Sequence, residues 1–311
     1  MLTPYDDLVQ AFIDAMEKPE PRLTHLQPIS NSAPLTDAPC CVICAPHPDD
    51  ESLVGGLALR LRHELGWRVI NIAITLGSAP ARKQARWQEA KAACQYLGFE
   101  LASPYLEDGK SFEQIHPQAF EQQTSAWLDC VEQLKHQFLR YQPRLILTPH
   151  ALDGHPAHCG THHLVHQAVQ RLPTNKKIHL AYSEYWNTQM SPRLMVALSP
   201  AHVAQMMTAT AMHVGEVSRH PYHRSLPAWL MDGARRGAER VGTAGQASTG
   251  MHMAALYGWQ VWEHGVLSDS PPYLGAPRPR FECLVSQLTL TAPNRHVHFW
   301  RDESKVIFKM T

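Results

Sequence analysis

The chain is predicted to fold as an α/β protein, a Rossmann-like, doubly wound, mostly parallel sheet with a C-terminal α+β extension. Three observations lead there. Short apolar runs alternate with longer amphipathic segments between residues 41 and 183; the first run, Cys41 to Ala45, ends abruptly in polar residues followed by Gly55-Gly56; and the alternation weakens after Ser183. Apolar strands separated by amphipathic helices build right-handed βαβ units, and these make parallel sheets.

Taken in order, Leu8, Phe12, Ile13 and Met16 stand near helical spacing and predict a helix over 5–17. A Pro/Ser/Asn-rich passage, Pro19 to Pro39, leads to the first strand at 41–45, followed by a helix over 54–65, a strand at 68–76 and a helix over 81–97. A short strand near 104–106, a helix over 117–141, a strand at 144–149, a helix over 158–172 and a fifth strand at 178–183 continue the pattern. Beyond it the expectations are a strand at 194–198, a helix over 201–213 opened by Ser199-Pro200, a loop over 215–226 and a helix over 228–241. A Gly/Ser/Thr-rich, mobile stretch at 242–250, an aromatic run at 257–262 and a tail at 297–310 whose alternation allows a β-hairpin complete the chain. The organisation expected is a helix and Pro-rich lead-in over 1–38, a catalytic core over 39–190, and a remainder over 191–311 that belongs to the same domain and shapes the substrate site.

Composition narrows the function. Lys plus Arg and Asp plus Glu are both 28 in 311 residues, a balance that argues against nucleic acid or an anionic membrane as the partner. Neither a signal peptide nor a membrane-length apolar run is present, so a soluble, cytoplasmic protein is expected. Seven cysteines make no disulfide framework, and Cys41 and Cys44, although spaced C-x-x-C, fall inside a strand and read as buried thiols. Histidine is over-used, with 20 copies, and six of them lie between His150 and His166.

The first strand delivers His47, Asp49, Asp50 and Glu51 within one turn. On this stretch alone, the acidic run also fits plain N-terminal helix charge with an Asp cap. A second cluster argues for chemistry: the fourth strand ends at His150, and Asp153, His155, His158, His162 and His163 follow. In a doubly wound sheet the fourth strand returns beside the first, so both motifs meet at the carboxyl edge where ligands bind. A catalytic zinc site takes three N/O ligands and leaves a position for water. His47, Asp50 and one histidine of the second cluster supply that set, with Asp49 as a spare carboxylate. His155 and His158 are favoured; His162, His163 and His166 are expected at the surface or behind the site, and His150 as a strand cap.

The paired motifs, His47-Pro48-Asp49-Asp50-Glu51 with Gly55-Gly56 and Asp153-Gly154-His155-Pro156-x-His158, resemble those of the PIG-L/LmbE superfamily of metal-dependent N-acetylglucosaminyl deacetylases. Weaker echoes are Leu76-Gly77 and Arg86-x-x-Glu89 with Leu97-Gly98, and the resemblance covers roughly Cys41 to Ser183. It implies that His47, Asp50 and His158 bind the metal, that Asp49 is the general base, that His155, as a cation, assists the developing oxyanion, and that Arg86 contacts the sugar. The implied cofactor is zinc (Zn2+), and ferrous iron (Fe2+) suits the same donors. The implied partner is a small-molecule amino-sugar conjugate, with no nucleic acid and no membrane, and family members are often homo-oligomers.

Departures from the family pattern are Ala157, where an acid is usual, Asp153, where some members have tyrosine, and His213-Val-Gly-Glu216 in place of H-x-S-Q. Two other readings stay open: an amidase or deacylase for a non-sugar or thiol-conjugate amide, and a non-catalytic metal-binding module. A nucleotide-binding Rossmann protein is disfavoured because no G-x-G-x-x-G follows the first strand. Tyr185, Trp186, Tyr257, Trp259 and Trp262 are candidates for stacking on a sugar ring or for the core.

Overall fold

The computed structural model describes residues 3–23, 26–29, 37–107, 109–241, 251–269, 297–302 and 305–310. Strands β1 (Cys40–Ala45), β2 (Arg68–Ala73), β3 (Glu100–Ala102), β4 (Leu145–Pro149) and β5 (Ile178–Ser183) pair in parallel in the order β3-β2-β1-β4-β5. Every residue of β1, β4 and β5 is buried, as parallel strands covered on both faces require. Alternation sorts β1 between two apolar layers. Cys41, Ile43 and Ala45 face one, with Leu57, Trp67 and Leu97, while Cys40, Val42 and Cys44 face the other, with Trp127, Leu134 and Leu164. Strand β1 therefore lies between β2 and β4, and the chain crosses to the other side at β4, as expected.

The described residues hold ten α-helices: α1 (Asp6–Glu17), α2 (Asp50–Leu53), α3 (Gly56–Leu65), α4 (Lys83–Leu97), α5 (Pro117–Gln122), α6 (Ser125–Tyr141), α7 (Pro156–Gln170), α8 (Pro200–Ala211), α9 (Val214–Val217) and α10 (Tyr222–Val241). Several boundaries differ from expectation. The third strand comes earlier than 104–106 because α4 ends on left-handed Gly98 and the chain turns at once into β3. The helix expected over 117–141 is two, broken where Gln123 adopts φ 47° and Thr124 caps α6 by accepting from the Trp127 N–H. The helix expected over 54–65 is α3, which begins two residues later, after Gly55, and is preceded by the short α2 that the expectation lacked. The supposed loop at 215–226 holds α9 and the start of α10, which runs through Pro227 instead of beginning after it. The stretch 242–250 lies outside the described residues.

The C-terminal part continues the same sheet. Strand β7 (Ala254–Glu263), ten residues long, inserts antiparallel between β5 and β6 (Leu194–Ala197) and also carries β8 (Val266–Ser268). Strands β9 (Val297–Asp302) and β10 (Lys305–Met310) pair antiparallel as the expected hairpin, with β10 alongside β6. Tyr257 of β7 reaches back to the first motif: its hydroxyl donates to the Val54 carbonyl (2.8 Å) and accepts from the Leu57 N–H (3.1 Å). Among the described residues no helix is long and apolar enough to cross a membrane.

Candidate metal centre and active site

Where β1 ends, the Pro46 carbonyl accepts from both the N–H and the hydroxyl of Thr75 after β2, which anchors the turn that follows. Asp49 sits in that turn at φ 114°. For a residue with a Cβ this conformation costs on the order of 1–3 kcal/mol and persists only when its surroundings impose it. The surroundings do so. The Asp49 N–H donates to Glu51 Oε2 (3.0 Å), and the Asp49 carbonyl accepts from the Ser52 hydroxyl (2.8 Å) and the backbone N–H groups of Ser52 and Leu53. Glu51 is held in turn by His213, whose Nε2 lies 2.8 Å from Oε1, both side chains being 0% exposed.

Asp50 occupies the centre of the site. Its Oδ2 accepts from the His47 N–H (2.8 Å) and lies 3.5 Å from His47 Nδ1 and 3.4 Å from His158 Nε2. The other nitrogen of His158, Nδ1, is 3.2 Å from Asp153 Oδ1. His155 is the N-cap of α7: its Nδ1 accepts from the Ala157 N–H (3.2 Å), and Pro156 follows at the position that needs no donor. The imidazoles of His47, His155 and His158 each present a nitrogen within 4.8 Å of the others.

These contacts set the proton affinities. Burial alone would raise the Asp50 carboxyl, but His158 opposite it and the hydrogen bonds from His47 outweigh burial and hold it at about 2. Burial would lower His158, yet Asp50 and Asp153 push it up. Asp49 goes the other way: burial first, then the Asp50 charge, drive it well above the usual carboxylate range against the pull of Arg86. Burial, then the neighbouring His47 and His158, push His155 down.

His47, Asp49, Asp50, His155, His158 and Arg86 all line one cavity of about 690 Å³. The six residues given roles by the resemblance thus line the same cavity. Arg86 is pinned: its Nη2 donates to the Pro48 carbonyl (3.1 Å), and its Nε faces Glu216 Oε1 at 3.7 Å. Gly77 lies so close that a Cβ there would meet Arg86 Nη1 at 2.3 Å, and its φ of 82° also favours glycine. A divalent cation fits the donor set. His158 Nε2 is buried without a hydrogen-bond partner and points at an ionised carboxylate, while Asp153 stands behind Nδ1 as such ligands require.

The other histidines lie elsewhere. His150 Nε2 bonds the Asn187 carbonyl, His162 Nδ1 the Pro149 carbonyl, His166 Nε2 the Tyr182 hydroxyl, and His163 stacks on Phe120. Sequence reasoning did not find the Glu51–His213 pair, nor Glu216 on Arg86; the only signal was the faint His213-Val-Gly-Glu216 echo. Among the aromatic candidates, Tyr185 and Trp186 line the cavity, whereas Tyr257, Trp259 and Trp262 are core residues, at most 3% exposed.

Residues 42–169 match the profile of the PIG-L family, described as GlcNAc-PI de-N-acetylase. A 1D-myo-inositol 2-acetamido-2-deoxy-alpha-D-glucopyranoside deacetylase of Corynebacterium jeikeium (strain K411) is 33% identical over 163 residues, which cover 40% of this chain and 49% of that protein. The chain spans about half the length of the curated relatives it matches. Among solved structures, the N,N'-diacetylchitobiose deacetylase of Pyrococcus horikoshii is similar with a TM-score of 0.51 at 16% identity, over 83% of this chain and 93% of that one. The 4-carboxy-2-hydroxymuconate hydratase of Pseudomonas putida KT2440 is similar with a TM-score of 0.51 at 17% identity, over 71% and 95%. Such likeness bears out the mixed α/β fold with its mostly parallel sheet; a hydratase on the same scaffold means that the reaction must be argued from the site.

Proposed function

We propose, on the premise that the chain belongs through residues 42–169 to the PIG-L family, that it is a metal-dependent hydrolase removing the N-acetyl group from an N-acetylglucosamine-type small molecule. The observation that carries this reading is the convergence of His47, Asp50 and His158 beside a second carboxylate, Asp49, in one cavity. His47, Asp50 and His158 would hold the cation, zinc by default, with ferrous iron suited to the same two imidazoles and one carboxylate. Bound there, a divalent cation supplies Lewis acidity toward a water and an acyl oxygen.

The remaining work falls to the chain's own groups. Asp49 stands beside Asp50 with a raised proton affinity, so its carboxylate is a competent acceptor for the water's proton and, once protonated, a donor to the departing amine. His155 takes a different form from the expected cation. Its Nδ1 accepts from the Ala157 N–H, which leaves the proton of the neutral ring on Nε2 as a hydrogen-bond donor for the carbonyl oxygen as charge develops there. Arg86, tied to Pro48 and Glu216, keeps the turn carrying Asp49 in place and presents its guanidinium to the cavity for a sugar hydroxyl.

The test is release of free amine from a panel of N-acetylglucosamine compounds, with wild type and Asp49→Ala, each with and without added zinc or ferrous iron. Release that needs both the metal and Asp49 supports the reading. Full turnover by Asp49→Ala overturns it, and silence with metal bound moves the site to a non-sugar amide or to binding alone.

A further inference from the structure

Helix α1 buries none of its residues. Leu8, Val9, Phe12, Ile13 and Met16 recur at helical spacing and, with Tyr5 at the N-cap, form one apolar stripe whose members are 43% to 69% exposed. A helix of 12 residues is marginal in water by itself, because most helical stability comes from packing such a face. The stripe is a surface made to be covered. Its charge narrows what covers it: Asp6 and Glu17 border the stripe, Asp7 and Asp14 lie behind it, the helix has no basic residue, and none of these acids pairs with a cation among the described residues. An anionic membrane surface would repel such a helix.

A surface of the opposite character lies at the amino ends of β4 and β5, a strand's length from the candidate metal centre. There Leu139, Pro143 and Leu172 line a cavity of about 310 Å³ whose charged residues are Arg144, Lys176 and Lys177, with no acid in its lining. Lys177 meets Glu263 at 3.2 Å, whereas Arg144 and Lys176 have no ion-pair partner among the described residues. An apolar floor under a basic rim is the complement of an apolar stripe with an acidic border.

One chain does not bring the two together. Glu20, just past α1, is held at the start of α10 by His223 Nε2 (3.0 Å) and Arg224 Nε (3.0 Å). The neighbouring Tyr222 lines the reaction cavity and packs on one apolar layer, whereas Leu172 and Ile178 of the basic groove belong to the other. The three residues from Glu17 to Glu20 span at most about 11 Å, so α1 stays on its own side of the sheet and at the other end of the strands. We propose that α1 of one copy of this chain seats in the basic groove of a second copy, with Phe12, in the middle of the stripe, as the apolar anchor and Asp6 and Glu17 beside Arg144 and Lys176. The two patches differ, so the contact is heterologous and closes by reciprocal exchange or as a ring.

Sedimentation equilibrium of the full chain tests this without reference to any activity. Wild type is compared with Phe12→Asp, with the acid reversal Asp6→Lys/Glu17→Lys, with the base reversal Arg144→Glu/Lys176→Glu, and with the two reversals combined, at low and high salt. The expected result is self-association in wild type that weakens as salt is raised, a rise in Kd of at least about thirtyfold for Phe12→Asp and about tenfold for either reversal alone, and a return to within about threefold of wild type when the reversals are combined. Restoration by the combined variant also shows that neither reversal acts by unfolding the chain. A wild-type monomer at high protein concentration overturns the proposal, as does association indifferent to Phe12→Asp. Tighter association in the acid reversal alone would mean that two α1 helices pair with each other, and a combined variant no better than the single reversals would mean that helix and groove do not meet; either result overturns it.

Discussion

Helix α7 carries two sets of histidines that look alike in sequence and differ in the groups set against them. His158 faces Asp50 and Asp153, and those carboxylates push its proton affinity up despite burial. One and two turns on, His162 and His166 face only neutral partners. His162 Nδ1 donates to the Pro149 carbonyl. Gln260 Nε2 donates to Asp269 Oδ1, which turns its carbonyl oxygen to the Tyr182 hydroxyl (2.6 Å) and leaves that hydroxyl to accept from His166 Nε2 (2.8 Å). Burial then lowers His162 to about 3 and His166 to about 4. A histidine becomes a candidate ligand here through the carboxylate set against it, and its place on the helix says little. The end of β1 brings that carboxylate to the first turn of α7 and no further.

The sharpest way to break this contrast is to exchange the consequences. His158→Ala should abolish stoichiometric metal binding and lower turnover by at least about 10³-fold, in the range expected when a catalytic group is lost. His162→Asn, which keeps the bond to Pro149, should leave metal content intact and turnover within about threefold. Elemental analysis of the purified variants beside an amine-release assay reads both; metal loss from His162→Asn would dissolve the distinction.

Next in size is the buried pair beneath Asp49. Glu51→Ala removes the acceptor for both the Asp49 N–H and His213 Nε2, leaving two buried groups without partners. A destabilisation of about 3 kcal/mol is expected in urea unfolding. In His213→Gln, where the amide nitrogen can still reach Glu51, about half of that should return. Equal losses in the two would mean that the pair acts through packing alone.

Read per pH unit, the smallest effect is a pH dependence. The folded-state proton affinities of His162 and His166 lie below the unfolded value of about 6.5, so the unfolded chain binds their protons first. Stability from keeping them neutral is fully present above pH 6.5 and is lost as pH falls toward 4 and 3, at up to about 1.4 kcal/mol per pH unit for each. The thermal midpoint should therefore drop across that window, and the double variant His162→Asn/His166→Gln should flatten the slope. An unchanged slope would show that these rings do not carry it.

Much of this was legible in the sequence because the controlling contacts are local or follow from topology. The apolar run 41–45 needs two covered faces, hence a central strand, and the rule that the fourth strand returns beside the first brings His47 to His158. The rest depends on pairings that a linear pattern does not encode. Glu51 and His213 are 162 positions apart, and an acidic residue in a helix's first turn already has an adequate local explanation. Tyr185 and Trp186 follow β5 in the segment that reaches the cavity, whereas Tyr257 and Trp259 lie within β7, a placement that composition does not distinguish. The third strand was misplaced because the C-cap of α4 at Gly98, not the apolar run, decides where it begins.

The insertion of β7 between β5 and β6 also governs how the molecule is made. The strands on either side of the Tyr185–Trp186 segment do not pair with each other, and the strand that joins them arrives some 70 residues after β5 ends. On the ribosome, β1 to β5 can assemble from the contacts already synthesised, but the inner edge of β5 stays open until residues 254–263 emerge. Closing it is a late, long-range step of the kind that slows folding and invites edge-to-edge association. A chain halted after α10 would carry the histidines and carboxylates of the site, lack Tyr257 beneath the turn between α2 and α3, and present the bare edges of β5 and β6 as a template for its own aggregation.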